Sequence, residues 1–324
     1  MTKFIRLLLV LTLLMAASCQ RKELIEPHNH HNMVVKASFD STALSQLISS
    51  QRSSYSKAGE PATTKYILYD KFKKRVAYSG EFQGLEGGLY AKEGIYDLLL
   101  YTTDFNELDA NFFRGMDDPS TAETYTRQSP IEGTRADVQE MYMVEPDPTF
   151  SALKEDLIVY RVEEGDTLHI ELVQKSFKYY LTIRVTGLYN IHSAKMNISG
   201  MYTTAFLAHE THRMDEAGTQ SLELELRNTA TTPEEREAGV GELYGEFWSF
   251  GPHAREDIQN SITLYFYNGD VKTKKLNDLT GQIKKLVRGG EIFVEEVIDI
   301  KGPPGGFDPG VEDWGDNVDV GFIL

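Results

Sequence analysis

The sequence predicts an all-β protein with minor helices, and three observations carry that reading. Apolar and polar residues alternate with period two along several stretches, the pattern of strands with one covered face. Seventeen Tyr and sixteen Phe against two Trp enrich the chain in side chains that fit pleated, half-buried surfaces. Turn-forming residues break the apolar runs, so the strands are short and many, which argues for a sandwich rather than a parallel α/β sheet. At 41% hydrophobic and 25% charged over 324 residues, the composition is globular, with length for one large or two ordinary domains.

The first nineteen residues stand apart. Lys3 and Arg6 open the chain, Leu7 to Met15 is apolar except for Thr12, and Ala16-Ala17-Ser18 leads into Cys19. A positive start, a short apolar run and small residues before a cleavage point make a secretory signal peptide. The run is shorter than the about 20 apolar residues that span a bilayer. Cys19, the one cysteine of the chain, makes this look like a lipobox. Cleavage then falls between Ser18 and Cys19, and Cys19 becomes the lipid attachment point. Ala16 stands where such boxes most often carry leucine. The other reading is an export signal with an incidental cysteine, which requires the only thiol to fall there by chance. Each buried lipid methylene contributes about 0.8 kcal/mol and stable anchoring takes more than one chain, so an acylated Cys19 holds the protein to its bilayer.

Without Lys3 and Arg6, the 33 basic residues set against 49 acidic ones leave a net charge of −18. That balance argues against nucleic acid, whose binding rests on phosphate neutralisation, and against adsorption to anionic lipid.

The elements follow in order. Gln20 to Asn32 is polar and interrupted by Pro27, a tether. Val34 to Asp40 alternates as a half-buried strand, and Leu44, Leu47 and Ile48 follow at helical spacing. Lys65–Asp70 and Arg75–Phe82 are strands joined through a Lys-rich turn. Ile95–Tyr101 is apolar on both faces, a central strand. Asp104–Pro130 reads as a long irregular insertion, Val138–Val144 as a strand, and Pro146–Glu155 as a linker. Leu168, Ile170 and Leu172, then Phe177, Tyr179, Leu181, Ile183 and Val185, alternate so regularly that they suggest an antiparallel pair. Met196–Ser199, Leu222–Leu226, Leu243–Phe250 and Ile262–Tyr267 continue the strands. Thr232-Pro233-Glu234-Glu235 is a capping box that opens a short helix. Leu279, Ile283, Leu286 and Val287 form a helical stripe weakened by Gly281. Ile292–Ile300 is the last strand. The chain thus divides into a signal (1–18), a tether (19–32), two β units (33–150 and 151–301) and an acidic tail (302–324).

Several stretches resemble a known family in their order. Cys19-Gln-Arg-Lys-Glu-Leu with Pro27-His28-Asn29-His30 is similar to the mature start of a lipoprotein family of Bacteroidales. Gly94-Ile-Tyr-Asp-Leu-Leu-Leu-Tyr101 resembles a strand of that family and of the fimbrillin superfamily, as do Met196-Asn-Ile-Ser-Gly200, Phe247–Gly251 and Asn268-Gly-Asp270. Gly305–Trp314 with Asp316–Val320 resembles the family's acidic end. The resemblance implies two Greek-key, transthyretin-like β-sandwich domains in tandem and a place among fimbrial subunit, anchor and tip proteins. The acidic tail is unlike a donor strand, so a surface accessory role is the inference rather than a polymerising shaft subunit.

Motifs for chemistry are weak. His209-Glu210-Thr211-His212 superficially suggests a zinc protease, but its histidines are three apart where one helix face needs four, and a solvated loop is the reading. His28, His30 and His31 lack fixed geometry. Ser54-x-x-Lys57 and Ser151-x-x-Lys154 lack their partner motifs. Asp313, Asp316 and Asp319 lack the alternate ligands of a calcium loop. No cofactor, metal or catalytic residue is therefore expected. The expectation is a non-enzymatic, outer-membrane lipoprotein at the cell surface, with the bilayer as one partner and fimbrial subunits or a host or bacterial surface ligand as another. The alternative is a glycan-binding lipoprotein of a polysaccharide-uptake system, which requires a row of exposed aromatics on one sandwich face.

Overall fold

A computed structural model describes residues 31–39, 63–103, 111–130, 141–160, 167–210, 212 and 217–300. Strands dominate, and they assemble two sandwich units. In chain order they are β1 (His31–Phe39), β2 (Thr63–Asp70), β3 (Arg75–Gln83), β4 (Glu86–Ala91), β5 (Gly94–Thr103), β6 (Asn111–Arg114), β7 (Glu123–Thr126), β8 (Gln128–Pro130), β9 (Met141–Met143), β10 (Phe150–Val159) and β11 (Thr167–Gln174). There follow β12 (Phe177–Thr186), β13 (Ile191–Tyr202), β14 (Thr204–Phe206), β15 (Ala217–Asn228), β16 (Gly241–Ser249), β17 (Asn260–Phe266), β18 (Val271–Lys275) and β19 (Gly290–Asp299).

The first unit has the order β3-β2-β5-β10-β11-β1-β4. β10 and β11 meet only at Phe150/Gln174 and Ser151/Val173, and there the sheet folds over itself. Val35, Leu89 and Leu172 of one layer then bury against Leu68, Leu98 and Leu100 of the other in a single core. β5 is central, between β2 and β10. Its alternate residues Leu99 and Tyr101 face a second cluster with Tyr69 and Leu207, so both faces are covered, as its unbroken apolar run demands.

The second unit runs β18-β17-β13-β15-β16-β12-β19, with β9 and β8 added beside β15. β15 pairs with β13 along Ala217–Leu224 and then with β16 along Glu225–Asn228, so one strand serves both layers. Leu181, Ile183, Met196, Ile198, Ile262 and Ile292 fill the core between them. α1 (Pro233–Ala238) buries no residue and is capped as its sequence dictates, with Thr232 Oγ1 accepting from Glu235 N–H at 3.2 Å and the Glu235 carboxylate accepting from Thr232 N–H at 3.1 Å. A second helix, α2 (Thr280–Ile283), buries Ile283 in this core. The Gln282 amide lies on β19, and with its oxygen and nitrogen exchanged, as the facing groups require, it donates to the Phe293 carbonyl and accepts from its N–H, both at 3.1 Å. Lys274 of β18 also pairs with Glu296 of β19 at 2.5 Å.

Several expectations are corrected. β1 begins at His31, so His31 and Asn32 belong to a strand paired with Ala91 and Tyr90 and not to the tether. The supposed irregular insertion carries β6, β7 and β8, and β6, β7 and β14 form a small third sheet. The supposed linker ends inside β10. The two most regular strands, β11 and β12, do not pair with each other. β11 lies parallel to β1, and β12 lies between β16 and β19. The sheet therefore changes between Gln174 and Phe177 rather than at 150/151. The Leu44–Ile48 helix and the acidic tail lie outside the described residues.

Gly289 shows how tightly the second unit is built. It adopts φ 79°, and a Cβ there would run into the Lys178 carbonyl oxygen. Gly289→Ala therefore meets left-handed strain as well as a backbone clash, and is expected to lower unfolding free energy by about 2–3 kcal/mol. A urea midpoint unchanged from wild type would contradict this.

Candidate functional site

Two residues, Lys175 and Ser176, carry the chain from β11 to β12. Ser176 Oγ accepts from Thr149 N–H at 2.9 Å and donates to the Asp147 carbonyl at 2.9 Å, while Lys175 N–H donates to the Thr149 carbonyl at 2.8 Å. This lattice fixes where the Lys175 side chain goes. It enters a cavity of about 440 Å³ bounded by the end of β11, the β14 arm with the loop after it, and the Phe250–Ala254 turn.

The loop over the cavity is held from below, with Ser151 Oγ donating to the Leu207 carbonyl at 2.6 Å and Leu207 N–H to the Ala122 carbonyl at 2.9 Å. Ser151 is thus spent on structure, while Lys154 is exposed. Tyr202 stacks on His212 with ring centroids 4.2 Å apart and planes 8° from parallel, and meets His253 at 4.7 Å. Tyr202 Oη accepts from Ala254 N–H at 3.1 Å, and His253 Nδ1 accepts from Glu256 N–H at 3.0 Å, so those two rings are fixed in place.

Lys175 is 7% exposed, and its ammonium donates to the His209 carbonyl at 2.8 Å. Burial pulls its pKa down to about 8, against the opposing pull of Glu210. Burial, reinforced by Lys175, brings the His212 imidazole down to about 4, so that ring is neutral at physiological pH. At the rim Arg288 pairs with Glu210 at 3.6 Å.

The histidine motif is therefore only partly a solvated loop. His209 and Glu210 are exposed, but His212 is half-buried against Tyr202. The sequence marked the histidines without their partners. Lys175 carried no signal, because a lone lysine between two strands reads as surface. Ser18, Cys19, His28, His30, Ser54, Lys57 and the tail aspartates lie outside the described residues. Among the described residues no group of three or more His, Cys, Asp or Glu is placed to hold a metal, and no helix is long and apolar enough to cross a membrane.

Other surfaces bear on binding. Phe112 and Tyr125 of the small sheet are faced by the Arg127 and Arg114 guanidinium groups at 5.1 and 4.9 Å, so those rings already have their cations. The exposed aromatics Phe72, Tyr90, Tyr160, Tyr189 and Phe293 lie on separate segments. His192, Tyr265 and Tyr267 do group, at 6.3 and 5.7 Å, but tilted by 43° and 61° rather than as a flat sugar platform. At the fold between β10 and β11 the strands splay. Beyond Ser151, β10 pairs with β5, and over Thr167–Leu172 β11 pairs with β1. Among the described residues, β10 beyond Ser151 and β11 before Val173 have no strand partner on the sides that face each other at the fold.

Comparisons with known proteins fit this architecture. A family model described as a domain of unknown function, DUF5119, matches residues 18–223. No curated protein is similar in sequence. A candidate adhesin from Bacteroides ovatus shares the fold with a TM-score of 0.60 at 15% identity, over 88% of this chain and 97% of that one. The fimbrial anchor protein Mfa2 from Porphyromonas gingivalis aligns at 0.43 and 13% identity over 82% and 90%. A candidate adhesin from Bacteroides thetaiotaomicron aligns at 0.46 and 9% identity over 76% and 80%. The first of these bears on the fold.

Proposed function

The chain belongs to the DUF5119 family, and from that premise we propose that it is a lipid-anchored cell-surface protein with a structural or adhesive role. Its place is that of a fimbrial accessory, anchor or tip-type subunit, without enzymatic turnover. The observation that carries the reading is the shared backbone with a candidate adhesin over nearly all of that protein. The stretches of β10 and β11 that lack a strand partner among the described residues add support, because strand addition by a partner uses an unpaired sheet edge. Ser18 and Cys19 are the cleavage pair, and acylated Cys19 fastens the body to the outer membrane.

Cys19→Ala tests the anchor. Wild-type protein is expected in the membrane fraction with an acylated N-terminal cysteine by mass spectrometry. The variant is expected to leave that fraction, since about 0.8 kcal/mol per lipid methylene is lost. A variant that still fractionates with membranes in native yield would end the anchoring proposal. Co-purification of fimbrial subunits from intact cells tests the role separately.

A further inference from the structure

We propose that the cavity beside Lys175 is a binding site for a small organic monocarboxylate with an apolar body, whose carboxylate meets the Lys175 ammonium. The argument starts from an unbalanced charge. An ammonium has three donors, and among the described residues that of Lys175 has one acceptor, a neutral carbonyl at 2.8 Å, and no carboxylate at ion-pair distance. Burying a cation without an anion is costly. The remaining donors of Lys175 border the cavity, where a ligand anion supplies the missing partner.

The surroundings agree in sign. Lys284 and Arg288 also line the cavity, and the one carboxylate among its described lining residues, Glu210, is engaged by Arg288. In a chain of net charge −16 this hollow is locally positive. His212 is neutral and adds no charge, so among the described residues the deep end holds a single cation, suited to one negative charge rather than a dianion. The walls set the rest of the ligand. Phe177, Tyr202, Phe206, Phe250 and Val287 are apolar or aromatic, and the volume falls within the roughly 300–1,000 Å³ typical of small-molecule sites with few convergent polar groups. This site stands independently of the membrane anchor and of any fimbrial partner.

The test is calorimetric titration of the full chain with 4-phenylbutyrate, set against 4-phenylbutanol and inorganic phosphate. The acid is expected to bind about tenfold or more tightly than the alcohol, the scale of one charge-assisted hydrogen bond. Lys175→Met is expected to remove that difference with the circular dichroism spectrum unchanged. Should that variant fail to fold, Arg288→Gln decides, and a fewfold weaker binding of the acid is expected as the rim loses charge. Affinity for the acid is also expected to fall above pH 8, as Lys175 loses its proton in the presence of Glu210, Arg288, Lys284, His209 and His212. Equal binding of acid and alcohol, phosphate binding as tightly as the acid, or no binding of the acid at millimolar concentration would each overturn the site.

Discussion

Trp248→Ala is expected to lower the unfolding free energy by about 3–5 kcal/mol, the range for deleting a large buried aromatic. The damage should appear in the first unit although the residue belongs to the second. Trp248 lies on β16, next to Phe247, which points into the second core. Its own ring points the other way and joins the core of β1, β2 and β5. The main chain is pinned on both sides, with the Trp248 N–H donating to Glu145 at 2.7 Å and its carbonyl accepting from Gln220 at 2.7 Å. The ring therefore cannot be withdrawn without opening a hole between the units. Hydrogen exchange should show faster opening of β5 and β10 in the variant, with Trp248→Phe recovering much of the loss. Protection reduced only in β16 and its neighbours would show that the ring does not couple the two cores.

Lys178→Ala is the second large effect, expected at about 3–5 kcal/mol because it strands a partly buried carboxylate. The Lys178 side chain is 4% exposed and meets Glu246 at 2.5 Å. The Tyr244 hydroxyl donates to the same carboxylate at 2.7 Å, and the Arg227 guanidinium lies 3.4 Å above the Tyr244 ring. Burial pushes the Glu246 carboxyl upward, but the hydrogen bonds from Lys178 and Tyr244 outweigh it and hold it below the ordinary value. A depressed carboxyl contributes stability above its unfolded value and loses it as pH falls through the folded one. The gap between wild type and Lys178→Ala should therefore be full at neutral pH and narrow below about pH 4. The double replacement Lys178→Met with Glu246→Leu should recover most of the stability. If the double variant is no better than Lys178→Ala, the loss comes from packing and not from the stranded charge.

Much of the fold was legible because period two is a strong signal wherever one face is covered. Phe177, Tyr179, Leu181, Ile183 and Val185 all face the second core, and within Ile95–Tyr101 the run Leu98–Tyr101 is buried on both faces as its composition implies. The capping box at Thr232 needs only local residues and appears in full. What failed was pairing. Leu168–Leu172 and Phe177–Val185 are close in sequence and alike in pattern, yet alternation says which face is covered and nothing about which strand lies alongside. The polar stretch 104–130 hid β6, β7 and β8 because their partners include β14 and β9, which no local window sees. The cavity was illegible for the same reason. Lys175, Tyr202, His212 and Phe250 meet only through tertiary structure, and a buried lysine is spelled like an exposed one.

The parallel pairs have a mechanical consequence. β1 lies parallel to β11, and β12 lies parallel to β19, while β11 passes straight into β12. Traction between His31 and Asp299 enters each unit at the start of one strand and leaves from the finish of its parallel neighbour. The ribbons must then slide lengthwise, loading their rungs together instead of peeling them singly. The body is wired as two shear clamps in series, a layout that resists a lengthwise pull.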